Sequence, residues 1–342
     1  MPRQLAALFS FCVIDTLGFG ILIPLVPYMA DRFGTAPQFI TPVLGSYSLC
    51  QLLAAPWWGR LSDRYGRRPV LMSSLAGACA SYVLLGCAQN IWWLLASRML
   101  AGGDPRSANF TLPAAVSVAT SLLAILLVRF VLPESHSAAH RQQHPDEPRR
   151  GAWRLLRTRE ALALLAAATL LVTYSQSILE SIFAIWALHR YGFGPRAVGF
   201  LLFAVALPAL LMQGGLVRVL APRLGEGRLA SLGALAYVAG LALLANASAL
   251  AVTVGGLLLC GVGLGAYNPS ASALASKQSR GQDRGAVMGA YVASASLARV
   301  LGPLSSGLLY AALGPGAPFL VGACVTLPAA NLVRRAAKLT SV

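Results

Sequence analysis

Long apolar runs separated by short polar breaks dominate this chain. Runs of about 20 residues, enough to cross a hydrocarbon core, recur from one end to the other. They predict spans at 5–29, 41–61, 69–88 and 108–132, then at 160–188, 197–220, 229–247, 249–270, 285–311 and 316–334. A shorter run at 91–103 covers about 20 Å as a helix, short of a roughly 30 Å core. The runs are continuous rather than alternating, which excludes a porin-like barrel. The expected fold class is an all-α polytopic membrane protein, with about ten spanning helices plus one partial helix.

The polar breaks carry the topology. Most of the 27 Lys and Arg residues fall in alternate breaks: Arg60 to Arg68, Arg141 to Arg159, Arg218 to Arg228, Lys277 to Arg284 and Arg334 to Lys338. Only Arg32, Arg190 and Arg196 fall in the opposite set. This is the positive-inside asymmetry, and it places both termini in the cytoplasm of a multi-pass plasma-membrane protein. The net charge of +16 is therefore topological, and no nucleic-acid partner is expected. Composition adds that 57% of residues are hydrophobic, 11% are charged and the mean hydropathy is +0.67, outside the range of soluble domains. The six cysteines lie in or beside apolar runs without Cys-x-x-Cys pairs, so they read as packing residues. The N-terminal run lacks a small-residue cleavage site and reads as the first helix.

Parity marks an irregularity. The third span exits and the central polar segment must lie inside, so 91–132 crosses once in net. Asp104, Pro105 and Arg106 interrupt it. The run at 91–103 is expected to be partial or re-entrant, with its broken end buried by protein or at an interface. The expected domains are an incomplete N-terminal bundle at 1–132, a cytoplasmic linker at 133–159 and a six-helix bundle at 160–342. His136, His140 and His144 fall in the linker with Pro145, where a solvated tether outweighs a metal site.

Candidate chemistry is sparse and stands out for that reason. Asp15 lies about 15 Å along the first span and Glu180 inside the span at 160–188; intramembrane acids are costly and usually face a cavity. Glu180 fits either the cavity or the outer edge, since His189 and Arg190 follow it. Tyr174, Gln176, Gln213, Asn268 and Arg299 are the remaining polar candidates for a substrate cavity, and Arg299 fits a structural role as well. There is no Walker A loop, no Gly-x-Ser-x-Gly elbow and no His-Glu-x-x-His, so neither ATP-driven transport nor enzymatic catalysis is expected, and no catalytic residue or metal ligand is assigned.

The break GRLSDRYGRRPVL is more particular than its charge. Gly66 suits a turn with positive φ, and Pro69 suits the first position of the next helix. Gly59, Leu61, Ser62, Asp63, Arg64, Gly66, Arg67, Arg68 and Pro69 together resemble the signature loop between the second and third helices of the major facilitator superfamily. The run DTLGFGILIPLVP resembles the first helix of that family's drug:proton antiporter branch, which includes tetracycline exporters. Arg98 and Gly102 resemble its fourth-helix motif, and SLARVLGPLSSG its eleventh helix. The break at 221–228 stands where a second signature loop belongs and keeps Gly225 and Arg228.

The resemblance implies two pseudo-symmetric bundles that rock around a midplane cavity. It implies proton-coupled export of small hydrophobic or drug-like molecules, with the proton gradient as energy source and no cofactor. Gly59, Asp63, Arg64, Gly66, Arg67 and Arg68 would form the gating loop. Asp15, Arg98 and Glu180 would be the proton-coupling candidates. The implied partners are the bilayer, protons and a small-molecule substrate, with the chain a monomer. The chain departs from the pattern after Gly103, where part of the fourth helix and all of the fifth are absent, about 60 residues on the family's pattern. The alternative reading follows from that gap: a shortened, transport-inactive member acting as a structural or binding membrane protein.

Overall fold

The computed structural model describes residues 157–279 and 284–340, together with scattered positions between 40 and 96. The chain divides into two compact units, Met1–Pro148 and Arg149–Val342. The boundary falls inside the segment expected to link two bundles. In the first unit the described positions lie in helix, including those within Ile40–Cys50, where the second span was expected to begin. Asp15, Arg98 and the signature-loop residues Gly59, Asp63, Arg64, Gly66, Arg67 and Arg68 lie outside the described residues.

The second unit is six long helices: α1 (Glu160–Tyr191), α2 (Pro195–Leu224), α3 (Glu226–Ala245), α4 (Leu250–Lys277), α5 (Arg284–Leu313) and α6 (Ala317–Thr340). All six are long and apolar enough to cross a membrane. They match the six expected spans in order, and most run further. The span expected at 249–270 continues to Lys277 through Pro269. The break expected at 221–228 is mostly helical, since α2 continues to Leu224 and α3 starts at Glu226. One residue, Gly225, makes the whole turn with φ 79° and ψ 145°, a conformation that side chains with a Cβ rarely adopt. Gly192 ends α1 in the left-handed region at φ 68°, and its N–H donates to Leu188 O over 2.8 Å.

Glycine sets the helix spacing. A Cβ at Gly233 would sit 2.7 Å from Gly263 O, and one at Gly240 would sit 2.6 Å from Gly256 O. Two glycines seven residues apart on α3 thus face two glycines seven apart on α4, and the backbones nearly touch. The opposite face of α4 repeats the device toward α2. A Cβ at Gly265 would meet Met212 Cβ at 2.7 Å, and one at Gly261 would overlap Val205 O. Dispersion between closely packed backbones replaces the hydrophobic effect as the force joining helices in lipid.

α2 is the outlying helix. Pro208 has no N–H for the carbonyl of Ala204, and a single π turn, Met212–Leu216, follows. Many of its apolar side chains stay exposed, Phe200 at 69% among them. The core instead sits among α1, α3, α4 and α6, around Tyr237, Tyr267, Phe183 and Phe319.

Polar contacts tie the helix ends into two distinct rims. At one rim Arg159 Nη1 donates to the Gln278 carbonyl (2.7 Å) just past the end of α4, where a cation also suits the helix dipole. Gln278 Nε2 donates to Thr340 Oγ1 (2.6 Å), and Lys277 pairs with Glu226 at 2.7 Å. The other rim is aromatic. Trp186 packs edge-on against Phe319 and Tyr191, and Tyr191 Oη shares a hydrogen bond with Thr253 Oγ1 (2.8 Å).

Candidate transport site in the second unit

Polar side chains on α1 recur toward α5 because the two helices touch at Gly302. A Cβ there would lie 2.6 Å from Ser177 Cβ and 2.9 Å from Tyr174 O. That approach brings hydroxyls within reach on both sides. Tyr174 Oη and Ser305 Oγ are 2.8 Å apart, and Ser181 Oγ and Ser306 Oγ are also 2.8 Å apart. Ser175 points elsewhere: its Oγ donates to Gly322 O (2.8 Å) and accepts from Thr326 Oγ1 (2.7 Å), a buried tie between α1 and α6.

Glu180 is the acid of this stripe. Gln176, one turn earlier, donates from Nε2 to Glu180 Oε1 over 2.8 Å. Arg299, on α5, lies within electrostatic reach of the carboxylate. So does Tyr237, on α3, whose buried hydroxyl has no hydrogen-bond partner. Three helices therefore bring one acid, one cation, one amide and one spare hydroxyl to a common region inside the apolar bundle. Glu180 is six residues before Trp186, about 9 Å further in along the axis. Glu180 is half-buried and Arg299 is exposed.

The other candidates stand apart. Gln213 is exposed within the π turn of α2, and Asn268 is half-buried just before Pro269 of α4. Neither side chain makes a hydrogen bond to another described residue. At the aromatic rim His189 Nδ1 and Tyr310 Oη are 2.8 Å apart beside a pocket of about 410 Å³ that Trp186 and Asn246 also line. Among the described residues no group of three or more His, Cys, Asp or Glu gathers as metal ligands. Sequence reasoning missed Tyr237, Ser181, Ser305 and Ser306. A lone tyrosine centred in the span at 229–247 was the one visible signal; single serines in apolar runs give none.

A family model described as Major Facilitator Superfamily matches residues 8–103, 106–279 and 165–339. The chain belongs to the Major Facilitator Superfamily. It is thus a secondary membrane transporter by family and not an enzyme. Among its relatives, the class G tetracycline resistance protein of Vibrio anguillarum is 28% identical, over 94% of this chain and 95% of that protein. The class C tetracycline resistance protein of Escherichia coli is 26% identical, over 98% of this chain and 97% of that one. Its fold is similar to the crystal structure of the human organic anion transporter MFSD10 (TETRAN), at TM-score 0.76 and 22% identity, over 97% of this chain and 100% of that one.

Proposed function

We propose that this protein exports small hydrophobic or drug-like molecules in exchange for protons, by alternating access of two bundles, at 1–132 and 160–342. The likeness to tetracycline resistance proteins over nearly its whole length supports export of drug-like molecules. The observation that carries proton coupling is Glu180, an intramembrane acid held by Gln176 and opposed by Arg299. Protonation removes the charge that Arg299 balances, and departure of the proton restores it. Exchange at Glu180, and at Asp15 opposite Arg98, links proton entry to substrate exit. Gly59, Asp63, Arg64, Gly66, Arg67 and Arg68 gate the cytoplasmic side. Tyr174, Gln213, Asn268 and Arg299 contribute to the substrate cavity. The rim holding Arg159, Arg228, Lys277, Arg334 and Lys338 faces the cytoplasm, with both termini, and the aromatic rim faces out. The functional unit is a monomer in the plasma membrane.

The test is proton-driven accumulation of a fluorescent cationic dye in inside-out vesicles, at matched protein levels. Uptake is expected to collapse with the proton gradient and with Asp15→Asn. Undiminished uptake by Asp15→Asn removes that residue from the coupling path.

One observation favours the second reading, a member that no longer transports. The alignment with the Escherichia coli relative runs over 392 positions against a chain of 342 residues, so at least 50 positions have no residue here. The family match also breaks at 104–105, where the sequence pattern places the gap. Correct insertion with no flux across a panel of cationic, neutral and anionic substrates selects this reading.

A further inference from the structure

We propose that the groove between the start of α3 and the end of α6 binds the headgroup of an anionic phospholipid. The groove exists because Gly227 has no side chain: a Cβ there would overlap Ala337 Cβ, so the two helices meet backbone to side-chain stub. Above that contact lies a cavity of about 610 Å³, within the ~300–1,000 Å³ typical of small-ligand sites. Arg228, Arg334 and Lys338 line it, and none of its described lining residues is a carboxylate. Arg334 and Lys338 are one helical turn apart on α6, and Arg228 faces them from α3. All three are exposed. The nearby acid at the start of α3, Glu226, is already engaged by Lys277. A phosphate seated in this concavity accepts from guanidinium and ammonium together.

The surface beyond the cations distinguishes a lipid from a free phosphate. Leu232 and Leu235 follow Arg228 on the same face of α3, four and seven residues on, and are 49% and 37% exposed. Leu327 precedes Arg334 by seven residues on α6 and is 53% exposed. Both faces turn from basic to apolar toward the middle of the bilayer. A headgroup lodged among Arg228, Arg334 and Lys338 leaves its acyl chains lying along these leucines. Basic pockets at the ends of membrane helices have this architecture where they hold anionic lipids.

The test uses the full chain, delipidated in a neutral detergent and titrated with palmitoyl-oleoyl phosphatidylglycerol. Bound lipid is read by native mass spectrometry and thermal stability in parallel. Phosphatidylcholine with the same acyl chains and inorganic phosphate serve as comparison ligands. One phosphatidylglycerol is expected to be retained and to raise the Tm, while the other two are not. Each neutralised cation is expected to weaken retention by roughly fivefold, so the double variant Arg228→Gln/Arg334→Gln loses on the order of 25-fold. Arg196→Gln, at the aromatic rim, is expected to bind as the unaltered protein does. Where the double variant does not survive delipidation, Arg334→Lys is expected to keep phosphatidylglycerol and Arg334→Gln to weaken it. Equal retention by the Gln variants overturns the proposal. Equal retention of phosphatidylcholine reduces the groove to general lipid contact, and equal protection by inorganic phosphate makes it a phosphate site; either result also overturns it.

Discussion

Two glycines on one helix should respond in opposite directions to the same added methyl. At Gly263 a Cβ would lie 2.6 Å from Tyr237 N and 2.7 Å from Gly233 O, where ordinary contact starts at 3.4 Å. Those atoms are backbone and have no rotamer to escape into, so α3 and α4 must separate by on the order of 1 Å. Overpacking of this kind costs about 1–3 kcal/mol. The alanine returns up to ~1 kcal/mol of helix propensity, so the net expectation for Gly263→Ala is a loss of about 1–2 kcal/mol. At Gly255, two turns earlier on α4, nothing lies within 4 Å of the added methyl. Only the propensity gain remains, and Gly255→Ala is expected to be neutral or stabilised by up to ~1 kcal/mol. Reversible unfolding in mixed micelles, read by far-ultraviolet circular dichroism, compares the two against the unaltered protein. Gly263→Ala as stable as Gly255→Ala would refute backbone contact as the force that holds α3 to α4.

Three further outcomes test the site and its frame. Glu180→Gln keeps the size and the hydrogen bond with Gln176 but removes the charge facing Arg299; proton-driven dye accumulation is expected to fall at least tenfold, while dye binding persists. Retained coupling in that variant would assign Glu180 a packing role. Tyr237→Phe deletes a buried hydroxyl that has no partner, so stability is expected to hold or rise by up to about 1 kcal/mol, whereas a shifted pH profile of transport would show that the hydroxyl serves Glu180. Gly225→Ala forces a Cβ into φ 79°, and a loss of about 1–2 kcal/mol in the same unfolding assay is expected, even though the added methyl meets nothing within 4 Å.

The sequence by itself determined the class, the number and order of the spans in the second unit, and the family. These rest on properties of single segments: an apolar run must be long enough to cross the bilayer, a basic break resists translocation, and a signature loop is contiguous. It also showed that Glu180 stands out, because an acid in an apolar run is visible without any neighbour. The pairing of Gln176 with Glu180 was within reach too, as a four-residue spacing on one helix.

Only the tertiary structure decided what surrounds that acid and where the helices stop. Arg299 and Tyr237 come to Glu180 from other helices, and no local pattern records that meeting. The same holds for the glycines. Gly256, Gly261, Gly263 and Gly265 look interchangeable in the run GGLLLCGVGLG, yet 256 and 263 face α3 while 261 and 265 face α2. Helix ends moved for a related reason. α4 outlasts its apolar run through Pro269, and Arg159, just before α1, and Glu226, on α3, hold its end at Gln278 and Lys277. α2 runs through the expected turn because a glycine at positive φ reverses the chain in one residue. Span identity is a property of a segment against lipid; partners, helix ends and facing surfaces are properties of segments against one another.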